Sequence, residues 1–299
     1  MSTINTSSTC SFPNIKDVGS GVANGTFGEL LQGILEENNL DFLVTLPIKK
    51  ASCATFYSIP TYDEVVILPC SKQKSKRLVE TILKHFRFPA GGILEINSEL
   101  PVGKGFASSS ADLVAASRAV EDCFNIKMEH SLLEWFLSSI EPTDGVMYDG
   151  AVSYYHKEVR LREYIGKLPE LCILSIDEGG TIDTVEFNKR IKPFSREEKL
   201  EYNFLLQKLT KAIRERDVHA IGLVSSRSAV LNQKILPKKY LPEVMKINEE
   251  IRGLGVVVAH SGTSLGIFLS KEEPDFHQKL ELGYRYLSEL NKEVHIYHT

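Results

Sequence analysis

Residues 99–111 read Glu-Leu-Pro-Val-Gly-Lys-Gly-Phe-Ala-Ser-Ser-Ser-Ala, placing two glycines, a lysine and three successive serines at the mouth of a helix. Upstream, Leu94, Ile96 and Leu100 alternate with Glu95, Asn97 and Glu99 as in a half-buried strand, and Pro101 ends the alternation. Gly103 and Gly105 supply backbone that tolerates positive φ and approaches a ligand without a side chain in the way. Leu113, Ala116, Val120, Cys123 and Phe124 recur at helical intervals, so the spacing predicts a helix starting near Ser109, with Asp112 at the capping-box position. The first amides of such a helix lack intrahelical acceptors and lie at the positive end of its dipole. The stretch therefore reads as a phosphate cradle. It is not a P-loop, because Gly103-Lys104 is followed by Gly105 and position 98 is Ser. Nor is it a dinucleotide fingerprint, whose third glycine would fall at Ser108.

The 299 residues leave room for one large or two modest domains. A net charge of −4 argues against a protein built mainly to hold nucleic acid. Cys10, Cys53, Cys70, Cys123 and Cys172 are odd in number and form no C-x-x-C pair, which favours reduced thiols in a cytoplasmic protein over a disulfide framework or zinc site. The polar first twenty residues lack the apolar segment of a signal peptide, and no apolar run is long enough for a membrane span. Residues 1–18 read as a flexible extension.

Val18–Gly33 is glycine-rich up to Leu30-Leu31; Asp41–Ile48 and Ala51–Ile59 read as two strands, and Ser75–Phe86 as a helix. Ser131 and Glu134 repeat the capping-box spacing before a helical face of Leu133, Phe136, Leu137 and Ile140, and Trp135, the single tryptophan, reads as packing. That helix runs out at Glu141-Pro142-Thr143-Asp144-Gly145, two carboxylates three residues apart on a broken loop. Carboxylates suit both metal binding and the positioning or deprotonation of a hydroxyl. Ala151–Tyr155 and Leu171–Asp177 are expected strands. From Ser195 to about Gln233 the chain reads as helical, with Leu200, Phe204, Leu209 and Ile213 along one face and Asp217 as a cap. The composition shifts at Pro193, so a domain boundary is expected near 185–195. Val256–Ala259 and Leu265–Leu269 read as strands flanking a hydrogen-bonding turn, His260-Ser261-Gly262-Thr263-Ser264.

Taken together, these stretches resemble the GHMP small-molecule kinases. The cradle is similar to that family's second motif, P-x-x-x-G-L-x-S-S-x-A, and Gly25-Thr26-Phe27-Gly28-Glu29-Leu30-Leu31 is similar to its first, with Leu30 where the family often has His. Five segments follow the order of the PduX-type L-threonine kinase branch: 23–33, the cradle, Glu141–Asp144, Asp177–Asn188 and Ala259–Thr263. The resemblance implies an α+β two-domain fold, with a ribosomal protein S5 domain 2-like N-terminal domain over 19–188 and a ferredoxin-like α/β C-terminal domain over 189–299. It implies ATP and Mg²⁺, a small amino-acid acceptor with L-threonine first, no nucleic-acid or membrane partner, and leaves room for a homodimer. Pro101, Gly103, Lys104, Gly105, Ala107, Ser108, Ser109 and Ser110 would hold the nucleotide. Asp144 would be the base and Lys104 would add charge. Ser110 and Glu141 would hold the metal, with Glu134 as the competing acid and Asp149 a further one nearby. Gly28, Glu29, Asp183, Thr184, His260, Ser261, Gly262 and Thr263 are the expected places for the acceptor's ammonium and carboxylate. The same motifs would serve serine, homoserine or an amino alcohol, and a non-catalytic nucleotide-binding regulator would also carry them.

Overall fold

The computed structural model describes residues 15–182 and 193–299. Its strands are β1 (Asp17–Ile34), β2 (Asp41–Ser58), β3 (Val65–Leu68), β4 (Gly92–Ser98), β5 (Ala151–Tyr155), β6 (Arg160–Gly166), β7 (Leu171–Asp177), β8 (Gly255–Val258), β9 (Ser264–Ser270) and β10 (Val294–His298). The helices are α1 (Gln73–Phe86), α2 (Ser108–Cys123), α3 (His130–Ser138), α4 (Arg196–Glu215), α5 (Val218–Asn232), α6 (Leu241–Glu250) and α7 (Phe276–Ser288). The strands form a sheet in the order β10-β7-β9-β8-β1-β2-β4-β3, with β5 and β6 branching from β2. The pairings are antiparallel except β3 with β4, which α1 joins as a crossover unit.

The glycine-rich start is itself a strand. Along Val18–Ala23 burial alternates, and the inward positions are Gly19, Gly21 and Ala23. A side chain there would meet α2: a Cβ on Gly19 would lie 2.1 Å from the Cys123 nitrogen, and one on Gly21 2.2 Å from the Ala115 carbonyl oxygen. The missing side chains let the α2 backbone lie directly on β1. The α2 helix is buried on nearly every side, between β1, β2, β4 and α1. Its alanines match that narrow space, and its placement sets where the serine-led end points.

The two strands expected over Asp41–Ile48 and Ala51–Ile59 are one continuous β2, paired to β1 along its length. Bulges near Asn24–Leu31 bend β1, so its second half also pairs with β8 at Glu29↔Val258. One core gathers residues of β1, β2, α2 and α4, including Phe27, Phe42, Phe56, Val114 and Tyr202. A second, smaller core packs α6 and α7 on β7, β8 and β9 through Val244, Ile247, Leu287, Leu174 and Ile267. This is an α+β two-domain fold whose domains share one sheet. The expected boundary at 188/189 lies outside the described residues, and β7, from the near side of it, pairs with β9 and β10 from the far side.

Several local expectations are corrected. Helix α4 is capped by a Ser195–Glu198 capping box and buries Tyr202, Leu205, Leu206, Leu209, Ala212 and Ile213, so Leu200 and Phe204 lie on its outer side and Phe204 is 63% exposed. Helix α3 starts at His130 with no side-chain cap, and Trp135 is 58% exposed. Asp217 does cap α5, accepting the Ala220 N–H at 2.9 Å. Among the described residues no helix is long and apolar enough to cross a membrane.

Candidate active site

The cradle loop is tied to three neighbours. The Thr26 and Gly28 N–H groups donate to the Phe106 and Gly105 carbonyls at 3.2 and 2.8 Å, so β1 holds the loop from one side. Ala259 and the turn 260–263 press on it from another, where a Cβ on Gly105 (φ +90°) would lie 2.2 Å from the Ala259 Cβ and one on Gly262 2.2 Å from the Lys104 carbonyl oxygen. From below, Phe27, Phe106 and Tyr297 form an aromatic cluster with centroids 5.0–5.4 Å apart. Tyr297 belongs to the last thirty residues, where the sequence shows no motif.

Helix α2 begins at Ser108, after Ala107 in the left-handed region (φ 51°, ψ 31°), and no side chain caps it. The expected capping box is absent because both partners are engaged elsewhere. Ser109 Oγ donates to Glu141 Oε1. Asp112 is buried, accepting the Ser52 hydroxyl at 2.6 Å and an ion pair from Lys72. Among the described residues no side chain caps the Ser108–Ser110 amides, which point toward the cleft side of the helix end.

In front of that helix end lies a cleft of about 480 Å³. The cradle wall is Gly103, Gly105, Phe106, Ala107 and the three serines; the acidic loop contributes Glu141, Pro142 and Asp144, β1 contributes Glu29, and Ser261 closes one side. The opposite wall is the start of α1, Ser71–Ser75, whose Lys72 and Lys74 the motif reading missed. Lys74 pairs with Glu141. Their only sequence signal is a pair of lysines at a helix start, which is common on ordinary surfaces.

Asp144 sits in the floor of this cleft, its N–H donating to Ser110 Oγ at 3.1 Å. Loss of hydration, then the negative charges of Glu29 and Glu141, push its carboxyl up to about 7 against an opposing hydrogen bond from Ser110. A carboxyl in that range takes and returns protons near neutral pH.

The remaining expected residues divide. Glu29 reaches the cleft, but His260 is buried behind it: the His260 backbone N–H and Nδ1 both bond Glu29 Oε2, at 3.1 and 3.0 Å, and Nε2 lies 2.8 Å from Ser228 Oγ. Gly28 and Gly262 pack around the cradle, and Thr263 Oγ1 donates to Asp177 at 2.5 Å. Lys104 turns aside, pairing with Asp177 at 2.5 Å and donating to the Gly180 carbonyl at 2.6 Å. Pro101 ends the strand region without lining the cleft. Glu134 accepts from the Tyr148 hydroxyl and the Leu161 N–H, at 2.9 and 2.8 Å, and Asp149 pairs with Lys167 at the surface; neither lines the cleft. Asp183 and Thr184 lie outside the described residues.

Among the described residues no group of three or more His, Cys, Asp or Glu is arranged to hold a metal. The Glu141 carboxylate with the Ser109 and Ser110 hydroxyls nonetheless fits a Mg²⁺ ion, which takes one or two protein oxygens and completes its shell with phosphate and water. The pairing differs from expectation: Glu141 adjoins Ser109, while Ser110 adjoins Asp144.

Residues 74–157 match the family described as GHMP kinases N terminal domain. Over 258 residues the chain is 25% identical to an L-threonine kinase of Citrobacter freundii, covering 83% of this chain and 85% of that one. It is 26% identical over 257 residues to the L-threonine kinase of Salmonella typhimurium strain LT2, covering 83% and 82%. A homoserine kinase from Cytophaga hutchinsonii superposes with a TM-score of 0.69 at 18% identity over 97% of both chains. The mevalonate kinase of L. major superposes at 0.70 and 14% identity, over 97% of this chain and 98% of that one. Residues 74–157 are thus similar to the GHMP kinase N-terminal domain, and the chain has the fold of these homoserine and mevalonate kinases.

Proposed function

We propose that this GHMP-fold chain is a cytoplasmic kinase that transfers the γ-phosphoryl group of ATP to the side-chain hydroxyl of a small amino acid, L-threonine being the first acceptor. The observation that carries this reading is the seating of Asp144 against Ser110, which sets a carboxylate beside the uncapped amides of a helix end within one cleft. The Ser108–Ser110 amides would receive the phosphates, replacing the water they lose with fixed donors. Bound Mg²⁺ would neutralise charge on the phosphate oxygens, held on the protein side by Glu141 and a serine hydroxyl. Asp144 would orient the acceptor hydroxyl and take its proton as the new bond to phosphorus forms, since an alcohol is too weak an acid to ionise unaided. Lys74 would hold Glu141 in place. The likeness to the two L-threonine kinases supports threonine among hydroxy amino acids.

The test is ADP release, with phosphorus NMR of the product, for threonine, serine, homoserine and an amino alcohol in parallel. Threonine should give the highest kcat/KM. No phosphorylated product from any of them removes the kinase reading; a better rate with homoserine or serine keeps the activity and replaces the acceptor. Asp144→Asn should lower turnover about 1000-fold with ATP binding retained, and an unchanged turnover would dismiss Asp144 as the base.

A further inference from the structure

Lys238 sits in the connection between α5 and α6 and is only 4% exposed. Its own N–H donates to Gln233 Oε1 at 2.9 Å, which fixes the root of the side chain. The ammonium reaches into the β8–β9 turn and donates to the Gly262 carbonyl. Three carboxylates act on it through their charge, Glu178 first, then Glu29 and Asp177, and each of them is bonded elsewhere. Glu178 accepts the Tyr240 N–H at 2.8 Å, Glu29 takes the His260 donors, and Asp177 takes Lys104 and the Thr263 hydroxyl. Burying an ammonium whose hydrogen bond goes to a neutral carbonyl costs stability, because the carbonyl returns less than a carboxylate or water does.

The Gly262 backbone lies directly against the cradle: a Cβ on Gly262 would be 2.2 Å from the Lys104 carbonyl oxygen and 2.4 Å from the Gly105 nitrogen. A Cβ on Gly105 would in turn meet the Ala259 Cβ. Turn and cradle have no room to slide past each other, so the position of Gly262 sets that of Lys104–Gly105. Just beyond, Ala107 and Ser108 open α2. The Ala259 N–H bonds the Ser264 carbonyl at 2.8 Å and the Glu178 N–H bonds the Thr263 carbonyl at 3.1 Å. These ties hold the two ends of the turn and leave the Gly262 carbonyl to the lysine, which does not itself line the cleft.

We propose that Lys238 is a positioning residue for the nucleotide: its buried ammonium holds Gly262, and through it the cradle backbone at Lys104–Gly105, in the geometry that receives the phosphates. This rests on the kinase reading above. A charged donor bonds a carbonyl about twice as strongly as a neutral one, so the brace slackens when the ammonium loses its proton. Loss of hydration pulls the Lys238 ammonium down to about 8, against the opposing charges of Glu178, Glu29 and Asp177. The brace is therefore charged at neutral pH and weakens as pH rises through about 8.

The test reads binding of AMP-PNP with Mg²⁺ between pH 7 and pH 9.5 without acceptor, so that no acceptor ammonium titrates in the assay. Wild-type affinity should fall about fivefold across that range. Lys238→Met, which keeps the stem and removes the charge, should bind about tenfold more weakly at pH 7 and lose nothing further at pH 9.5. Lys238→Arg, which keeps its proton, should bind as well at pH 9.5 as at pH 7. General loosening of the fold would instead weaken binding at every pH and leave the wild-type slope in place. Three results overturn the brace while leaving the kinase reading intact: a flat wild-type profile, a Met variant that binds as wild type does at pH 7, or an Arg variant that loses affinity in step with wild type. A wild type that binds no nucleotide overturns both. Should the Met variant fail to fold, the Arg variant against wild type still decides.

Discussion

At the scale of the residue, Asp144 is the proposed base, seated in the cleft against Ser110. Its carboxyl titrates near 7 in the fold against 3.8 ordinarily, held up by burial and by Glu29 and Glu141. Because the folded value is raised, its contribution to stability is full below about pH 4 and is lost as pH rises through about 7. Asp144→Asn removes the ionisation, so the variant should be more stable than wild type at pH 8, by on the order of 2 kcal/mol once water access through the cleft is allowed for, with the gain vanishing near pH 4. Thermal melts at the two pH values check this, and equal melting shifts at both would contradict it. Activity runs the other way. As the proposed base, Asp144 would work ionised, so wild-type kcat/KM should climb with pH through about 7, and the residual rate of the Asn variant should lose that limb.

At the scale of the element, the position of α2 decides whether the serine run faces a ligand. Gly19 and Gly21 permit it, since a side chain at either position would occupy space held by the α2 backbone. Gly21→Val should therefore displace the helix, costing about 3 kcal/mol or more and weakening ATP binding together with stability. Asp217→Ala serves as the contrast: it removes only the cap of α5 and should cost about 1 kcal/mol, leaving nucleotide affinity unchanged. Denaturant midpoints paired with nucleotide titration separate the two outcomes. A Gly21→Val protein of normal stability that binds ATP normally would show that the close approach of strand and helix is dispensable.

At the scale of the whole molecule, the cleft is assembled from distant parts of the chain. Glu29, the α1 start, the cradle, Asp144 and Ser261 line one space, and Tyr297, near the C-terminus, packs under the cradle against Phe27 and Phe106. Tyr297→Ala should destabilise the fold by about 3 kcal/mol and loosen the cradle, seen as weaker ATP binding with acceptor KM little changed. The cradle, the serine-led helix, the Glu141–Asp144 loop and the β8–β9 turn were legible in sequence because each rests on local rules: glycine where backbone must approach, alternation for strands, helical spacing for α2. The error on α4 arose where two helical faces were both apolar and only burial separates Tyr202 and Leu206 from Leu200 and Phe204. Sequence by itself determined which side chains were available for phosphate, metal and proton, because those are properties of residue types and short-range geometry. Tertiary structure alone decided which of them share the cleft. It engaged Lys104 with Asp177, put His260 behind Glu29 with Ser228 against its other nitrogen, and brought Lys74 to Glu141, because desolvation and charge pairing depend on groups far apart in the chain.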